Sequence, residues 1–514
     1  MTMVLEQLQV ALSLQNLVFL LLATMAGILI GATPGLTVIM AVALAVPFAI
    51  HLPLAPALTL ILCLYVSGIY GGSVSAILLN TPGTPAAAAT VLDGYPLARR
   101  GQAGKALQMA LWASLAGGLI SIVVLMTTAS ALAHVSLLFG PTEKAALLIF
   151  ALSVVSLLSE KSLIRGLLSA SAGLLISTVG SDPLLLTNRF TLGIEGLEDG
   201  FGFVPVLVGL FAISEILLQA ETRMQQGSIA SETDASSLTL NDSLTWAEFR
   251  TSKRTIVRSS VIGVLAGILP GIGATVACFL GYSAAKRASK HPEEFGQGSL
   301  EGVAAAEAAN NAVSGATLIP LLALSIPGDA VTAVLYSALL IQGVQTGPLI
   351  FEFHLDAVYL IYLTLILANL AMVLVAGLML PILRRVTSVP SVILFPIVVV
   401  LCVFGSFAAE NRTFDIFVAT GFGLVGYLMN KAQLPLTPLL IAFILGRPLE
   451  ESLRQSLVSA RGDWSVFLTH PISAGFLLVT GLIVVLTIWR KFQKCCTEAA
   501  PTSSDPSSST SIDS

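Results

Sequence analysis

The stretch SAILLNTPGTPAAAAT, residues 75–90, decides the fold of this chain. It separates two apolar segments with Asn80 and the sequence TPGTP, and LLALSIPGDAVTAVL, residues 321–335, repeats the interruption with a second Pro–Gly pair. Proline and glycine break a helix, and in lipid the backbone groups that they leave unpaired cost several kcal/mol each. A break is tolerated where it lines a water-filled or protein-enclosed cavity, so the two stretches predict such a cavity inside a membrane protein. One motif by itself is equally compatible with a kinked helix or a loop at the membrane surface.

The composition is that of a membrane protein. Of the 514 residues, 55% are hydrophobic and 11% are charged, and the mean hydropathy is +0.90, whereas soluble domains carry about 25% charged residues. Apolar runs recur from Leu17–Ile30 to Ile472–Trp489, and a spanning helix needs ~20 apolar residues. The sequence therefore predicts an all-α polytopic membrane protein with roughly 10–12 transmembrane helices and further broken or re-entrant helices. The five cysteines have no metal-binding spacing, so we expect no cofactor and no tightly bound metal.

Three pairs of motifs recur in the same order along the chain. GATPG at Gly31–Gly35 returns as GILPG at Gly267–Gly271, 236 positions later, and the two Pro–Gly pairs of the opening stretches are 245 positions apart. A segment that begins PVLVG at Pro205 matches one that begins PLLIA at Pro438, 233 positions later. Three matches in one order predict a duplication. The predicted division is residues 1–220 as a first repeat, 221–255 as a polar linker, 256–494 as a second repeat and 495–514 as a disordered tail.

Positive charge indicates how the two repeats are oriented. Three cations between residues 99 and 105 follow the first break, but residues 341–347 after the second break contain none. Conversely, three cations between residues 286 and 290 follow the second GxxPG motif, and none lies near Ile50. Because positively charged loops stay in the cytoplasm, we predict inverted repeats, with the linker and the C-terminus cytoplasmic. Of the isolated acids, Asp93 is expected in the polar loop before Arg99, and Glu215 at the membrane interface.

The breaks supply the chemistry of an anion site. Helix N-termini offer free N–H groups and a positive dipole end, and freed carbonyls can coordinate a cation, as in secondary transporters built from inverted repeats. No Lys or Arg occurs from Met1 to Ala98 or from His291 to Leu383. The charge of an anionic substrate must then be met by N–H groups, hydroxyls, amides and a co-bound cation, so our hypothesis is transport coupled to Na⁺ or H⁺. The candidate substrate-binding residues are Thr33, Pro34, Gly35, Asn80, Thr81, Pro82, Gly83, Thr84, Pro270, Gly271, Gly273, Ser325, Pro327 and Gly328.

The segment EGVAAAEAANNAVSGA places polar side chains on one helix face. Glu307, Asn310, Asn311 and Ser314 are spaced i, i+3, i+4 and i+7. An ionisable group inside a span is functional by default, and the alternative is a hydrogen-bonded seam between helices with Glu307 near the surface. Asp329 follows the second Pro–Gly pair, where capping of a half-helix and ligation of a transient Na⁺ ion are equally compatible with the sequence. These five residues are the candidates for ion coupling.

The order of the motifs resembles a known family. GATPGLT, NTPGTPAAAATVLDGYPLARRGQAGKAL, GILPGIGA, EAANNA and SIPGDAVTAVLYSALLIQGVQTGPLIF resemble the TctA family, the large membrane subunit of tripartite tricarboxylate transporters, over residues 16–490. The family's signature segments fall on Thr33–Gly35, Asn80–Thr84, Pro270–Gly273, Asn310–Asn311 and Pro327–Asp329. The family often has Pro before the Glu of EAANNA, where this chain has Ala306, so the local geometry there departs from the family pattern.

The resemblance implies a function and partners. It implies the translocation subunit of a bacterial inner-membrane importer of citrate and other carboxylates, driven by an ion gradient through elevator-type alternating access. It also implies two protein partners within the lipid bilayer and the periplasm, a small membrane subunit (TctB-like) and a solute-binding protein (TctC-like).

Other function classes have less support. The five histidines are scattered without HExxH, no GxxxxGK[ST] loop occurs, and no second acid matches the Gly-Asp of IPGDA, so an enzyme is not expected. A nucleic-acid partner is not expected either, because the pI is ≈ 5.8 and the cations lie in short loops. The alternative is a stand-alone secondary carboxylate carrier without a binding protein. The repeats and the helix breaks do not distinguish it from the tripartite importer.

Overall fold

The computed structural model describes residues 2–157, 162–185, 187–226, 242–386 and 391–498, and most of these are helical. Two two-residue strands, β1 (Gly180–Ser181) and β2 (Asn188–Arg189), form an antiparallel pair. Residues 227–241 of the linker and residues 499–514 of the predicted disordered tail lie outside the described residues. The α-helices are α1 (Thr2–Ala11), α2 (Leu14–Ala32), α3 (Val38–Ala49), α4 (Leu54–Leu79), α5 (Ala88–Arg99), α6 (Ala103–Ser136), α7 (Pro141–Leu157), α8 (Leu163–Ser177), α9 (Phe203–Leu207), α10 (Ser214–Gln226), α11 (Trp246–Thr251), α12 (Lys253–Ile268), α13 (Gly273–Ala288), α14 (Leu300–Ala316), α15 (Leu318–Leu324), α16 (Ala330–Ile341), α17 (Ile350–Phe353), α18 (Leu355–Val386), α19 (Ser391–Glu410), α20 (Phe414–Lys431), α21 (Leu436–Ser459), α22 (Val466–Thr469) and α23 (Pro471–Glu498).

Long apolar helices confirm the predicted class, an all-α polytopic membrane protein. In the described part of the chain, five helical segments are long and apolar enough to cross a membrane. They are Leu14–Ala32, Leu54–Leu79, Ala103–Ser136, Phe203–Thr222 and Leu355–Met379. Shorter apolar helices accompany them, among them α3 and α16 next to the predicted breaks. The larger number of spans stays a prediction.

Glycines bring the helices around the breaks into backbone contact. A Cβ atom on Gly71 of α4 would lie 2.5 Å from the carbonyl oxygen of Ile28 on α2, and one on Gly31 of α2 would overlap the carbonyl oxygen of Gly68. Close approach through small residues is how helices associate without a hydrophobic driving force in lipid. The α2–α4 pair therefore forms one tightly packed unit that carries the first GxxPG motif.

Helix α14 is enclosed in the same way. A Cβ atom on Gly117 of α6 would overlap the carbonyl oxygen of Ala308, and one on Gly263 of α12 would overlap that of Ala309. Every residue from Gly302 to Ala316 is buried. The alanine-rich composition of this helix is thus explained by its position between α6 and α12.

The backbone takes matching conformations at matching motif positions. Gly35 and Gly271, 236 positions apart, have φ angles of 90° and 85°. Asn80 and Ser325, 245 positions apart, have φ angles of 57° and 58°, and each ends a helix in the left-handed conformation, α4 and α15 respectively. A non-glycine residue at positive φ is uncommon, so this agreement is specific. The inversion of one repeat relative to the other stays a prediction from the charges.

The described end of the linker docks on the start of α6. The carboxylate of Asp242 accepts from the backbone N–H groups of Gly104 at 3.1 Å and Lys105 at 3.2 Å, which caps that helix. Lys105 Nζ in turn lies 2.6 Å from Glu248 Oε1 on α11. The linker therefore returns to the cationic end of α6 before α12 begins.

Candidate functional site

Four helix starts meet at one cavity of about 470 Å³. They are the starts of α3, of the single 3₁₀ turn Pro85–Ala87 that leads into α5, of α13 and of α16. Each follows one of the four predicted breaks. The lining residues at these starts are Thr37, Val38, Ile39, Thr84, Pro85, Ala86, Gly271, Ile272, Gly273, Ala274, Thr275, Asp329, Ala330 and Val331.

Local chemistry explains why the helices begin there. Thr37 Oγ1 accepts from the N–H of Met40 at 3.2 Å and so caps α3. Asp329 and Thr332 form a reciprocal capping box at α16, with Thr332 N 2.8 Å from Asp329 Oδ1 and Asp329 N 2.9 Å from Thr332 Oγ1. The predicted capping role of Asp329 is therefore observed, while ligation of Na⁺ stays a prediction.

A tyrosine joins α4 to the start of α16 across the cavity. The hydroxyl of Tyr65, on α4, donates to Asp329 Oδ2 at 2.5 Å and lies 3.4 Å from Thr317 Oγ1. Tyr65 and Asp329 both line the cavity. The second carboxylate in the wall is that of Glu215, which accepts from the amide of Gln219 at 2.8 Å. Among the described lining residues there is no Lys or Arg, so the donors available to an anion are N–H groups, hydroxyls and amides.

The structure brings only some of the predicted substrate-binding residues to this cavity. Thr84, Gly271 and Gly273 line it. Asn80, Thr81 and Pro82 are exposed and are not among its lining residues. Ser325 lines a different cavity of about 400 Å³, where Thr346 Oγ1 lies 3.2 Å from its hydroxyl.

The remaining candidates are not among the described lining residues of the cavity. Thr33 donates to its own helix at Leu29 O, 2.8 Å away, and the carbonyl of Gly35 accepts from the Gln219 amide. Gly328 O accepts from Gly271 N at 2.8 Å, which ties the second pair of breaks together. Gly83 and Gly328 are buried against backbone or against Thr317. Pro34, Pro270 and Pro327 are not among the described lining residues of the cavity.

The polar face of α14 forms a separate cluster. Glu307 has no exposed surface. Thr90 donates to its Oε1, and Ser114 Oγ donates to Oε2 at 3.2 Å. Asn311 Nδ2 donates to Ser114 Oγ at 2.7 Å. None of the four predicted polar residues of α14 lines the cavity, so Asp329 is the ion-coupling candidate that faces it.

The other two members of that face differ in their bonding. Ser314 donates to the carbonyl of Asn311 at 2.7 Å, within its own helix. The side-chain nitrogen and oxygen of Asn310 are buried without a hydrogen-bond partner among the described residues.

Comparison with known proteins decides the family. Residues 17–441 match the family model described as "Tripartite tricarboxylate transporter TctA family". This chain belongs to the TctA family. A relative from Agrobacterium vitis, named "Uncharacterized 52.8 kDa protein in TAR-I ttuC' 3'region", is 35% identical over 482 residues, which cover 93% of this chain and 94% of the relative. A second, "Uncharacterized protein in TAR-II ttuC' 3'region" from the same organism, is 37% identical over 224 residues, 44% of this chain and 92% of the relative. No solved structure matches.

Sequence reasoning missed three residues around the cavity of this TctA-family chain. Tyr65 lies inside the apolar helix α4 and Thr317 at the junction of α14 and α15, and the signal that could have found them is a lone hydroxyl in an apolar stretch. Glu215 was expected at the membrane interface, but it lines the cavity.

The expected position of Asp93 was wrong. It lies within α5 rather than in a loop, and it has no exposed surface. Its Oδ1 accepts from the N–H groups of Gly296 and Gly298 at 2.8 Å and of Ser299 at 2.9 Å, and its Oδ2 accepts from Tyr282 OH at 2.9 Å. In this TctA-family chain, Asp93 thus holds the turn before α14, a long-range role that local polarity could not indicate.

Proposed function

We propose that this chain is the translocation subunit of a tripartite importer that moves carboxylates through the 470 Å³ cavity. The observation that carries the proposal is the convergence of four helix starts on one cavity, with hydroxyls beside them and no Lys or Arg among its described lining residues. Membership of a tricarboxylate transporter family supports the class of substrate.

Helix starts suit a carboxylate because of their charge. Each helix N-terminus carries roughly half a positive elementary charge and several N–H groups without an intrahelical partner. Thr37, Thr84 and Thr275 add hydroxyl groups at three of the four starts. An anion with several carboxylates matches a cavity with several such starts. A single arginine clamp would instead hold one carboxylate tightly.

The two acids of the wall support coupling to a cation. An anionic substrate next to Asp329 or Glu215 is repelled, because like charges in a medium of low dielectric constant interact strongly. A proton or a Na⁺ ion that binds with the substrate removes this repulsion. Substrate and cation then move together, and their joint movement down the gradient of the cation drives import.

Matching breaks in the two halves support alternating access. Each half contributes a glycine turn at positive φ and a helix that ends in a left-handed residue. We propose an elevator-type movement in the bacterial inner membrane, with the C-terminus in the cytoplasm. A small membrane subunit (TctB-like) and a periplasmic solute-binding protein (TctC-like) complete the importer.

Uptake measurements test the proposal and its alternative. Cells that express the chain with its neighbouring genes are expected to take up radiolabelled citrate or a competing di- or tricarboxylate from a test set, and to lose uptake when the Na⁺ and proton gradients are both removed. Uptake that survives removal of both gradients contradicts ion coupling. Uptake that survives deletion of the gene for the binding protein favours the stand-alone carrier.

A further inference from the structure

We infer that the driving ion is a proton and that Glu307 carries it, at a site separate from the substrate cavity. The inference rests on the proposed function, because that function requires a driving ion, and it places this ion at Glu307 in addition to the cation that neutralises the acids of the cavity wall. Glu307 lies on α14 with no exposed surface. An ionised carboxylate in such surroundings is costly unless a charge of opposite sign is near. In the described part of the chain no Lys or Arg pairs with Glu307, so a proton must remove its charge or a small cation must balance it.

The directions of the hydrogen bonds favour a proton over a metal ion. Asn311 Nδ2 donates to Ser114 Oγ at 2.7 Å, so Ser114 directs its own hydrogen at Glu307 Oε2, 3.2 Å away. Thr90 directs its hydrogen at Oε1. The groups that touch the carboxylate therefore present hydrogen atoms, whereas a site for a hard cation presents converging oxygen lone pairs. A protonated carboxyl fits the same neighbours: Ser114, held as a donor by Asn311, keeps its bond to Oε2, while Thr90 rotates and accepts the proton on Oε1.

The helices around α14 bring one further titratable group to this carboxylate. It is the hydroxyl of Tyr70 on α4, and Ser73 of the same helix also faces Glu307. Asp93 on α5 is bonded to backbone N–H groups and a tyrosine, and Glu301 on α14 accepts from the hydroxyls of two other residues. In the described part of α6, α12 and α13, no titratable side chain is bonded to Glu307. The proton on Glu307 is therefore not shared with a second acid.

The proton site and the substrate cavity share one wall. A Cβ atom on Gly72 of α4 would lie 2.5 Å from the hydroxyl oxygen of Thr84, which lines the cavity. The next residue, Ser73, faces Glu307. Movement of the Thr84 break during transport therefore shifts the segment that covers Glu307. This contact gives a physical route by which substrate binding and proton binding influence each other.

Infrared spectroscopy on the purified protein, as the difference between the spectra of wild type and variant, tests without any substrate whether Glu307 carries a proton. At neutral pH the wild type is expected to show the carbonyl band of a protonated, buried carboxyl group, and Glu307→Gln is expected to lack it. Glu301→Gln is the matched control, because it makes the same change on the same helix at a carboxylate that also accepts from two hydroxyls. A band that persists in Glu307→Gln, or that vanishes when NaCl replaces KCl, overturns the inference.

Transport by the complete importer in sealed vesicles, with radiolabelled citrate as the probe, tests the coupling. Glu307→Gln is expected to keep citrate–citrate counterflow within about twofold of wild type and to lose accumulation driven by a pH gradient by about tenfold or more. Glu301→Gln is expected to keep both. Glu307→Asp retains a titratable group, and its accumulation driven by a pH gradient is expected to lie between those of wild type and Glu307→Gln. This partial activity distinguishes loss of the proton from misfolding.

Three results would decide against the inference or against its premise. Normal pH-driven accumulation by Glu307→Gln overturns it. Accumulation driven by Na⁺ alone at equal pH, if lost in Glu307→Gln, shows that the site binds Na⁺ and also overturns it. Absence of citrate counterflow in the wild type counts against the proposed function with this probe, and the infrared result then decides the proton site by itself.

Discussion

Replacement of Tyr65 with Phe removes one oxygen atom from the wall of the cavity. In the wild type this hydroxyl donates to Asp329 Oδ2 at 2.5 Å and connects α4 with the start of α16. A hydrogen bond to a charged group contributes about 1.5–3 kcal/mol, which corresponds to about 10- to 150-fold in an equilibrium constant. Asp329 keeps its bonds to Thr332, so the start of α16 is expected to stay capped.

The expected result is weaker binding of the anion. Without Tyr65 OH, the charge of Asp329 is less well compensated and repels a carboxylate in the cavity. Tyr65→Phe should therefore raise the KM for citrate uptake by about tenfold or more, with a smaller change in the maximal rate. Initial rates over a range of citrate concentrations, with expression checked in the membrane fraction, measure both quantities.

The chain offers a matched control for this change. Tyr282 OH donates to Asp93 Oδ2 at 2.9 Å, which is the same pair of residue types outside the cavity. Tyr282→Phe leaves Asp93 with three backbone donors, so the KM should change by less than about twofold. If Tyr65→Phe transports like wild type, or if Tyr282→Phe raises the KM by as much, the role assigned to the Tyr65–Asp329 bond is refuted.

Three further predictions concern other parts of the structure. Gly83→Val should abolish uptake and leave membrane insertion intact, because its side chain would overlap the carbonyl oxygen of Gly31, and Gly328→Val should do the same because its Cβ would lie 2.9 Å from that of Thr317. Gly377→Val, whose Cβ meets nothing within 4 Å, is the control. Normal uptake by both Gly83→Val and Gly328→Val refutes the predicted packing. Asp329→Asn should keep the cap of α16, since Asn caps as well as Asp, but should change the cation dependence of citrate uptake; an unchanged dependence argues against a coupling role. The Lys105 ammonium, the Thr245 hydroxyl and the Thr245 N–H hold the pKa of Glu248 at about 2, below the model-compound value of 4.5. The stability that this depressed pKa contributes to the contact between α11 and α6 is present above pH 4.5 and is lost as the pH falls towards 2. Pepsin cleavage within residues 242–252 of the wild type should therefore rise over that range towards the cleavage rate of Glu248→Gln. Equal cleavage rates of wild type and Glu248→Gln at pH 4.5 would contradict the docking of the linker on α6.

Local sequence determined the positions of the four breaks and the class of protein. The four Pro–Gly pairs all lie between helices in the structure, as expected because proline lacks the N–H group that would continue the helix. The same reasoning left two roles open for Asp329, capping and ligation of Na⁺, and the structure shows the cap, in a capping box with Thr332. The motif order also predicted the TctA family, which the family match confirms.

Which residues at each break face the cavity was decided only by tertiary packing. Thr84 and Asp329 line it, whereas Asn80, a few positions before Thr84, is exposed, because the direction of a side chain after a break depends on how the next helix is tilted. Tyr65 reaches Asp329 across 264 positions, and this contact requires α4 to be placed against the start of α16. The glycine contacts between backbones that set such placements join helices distant in sequence, so no local pattern could predict them. The chain's own composition therefore specified a cavity bordered by helix starts, and the packing of its helices determined which side chains a substrate would meet there.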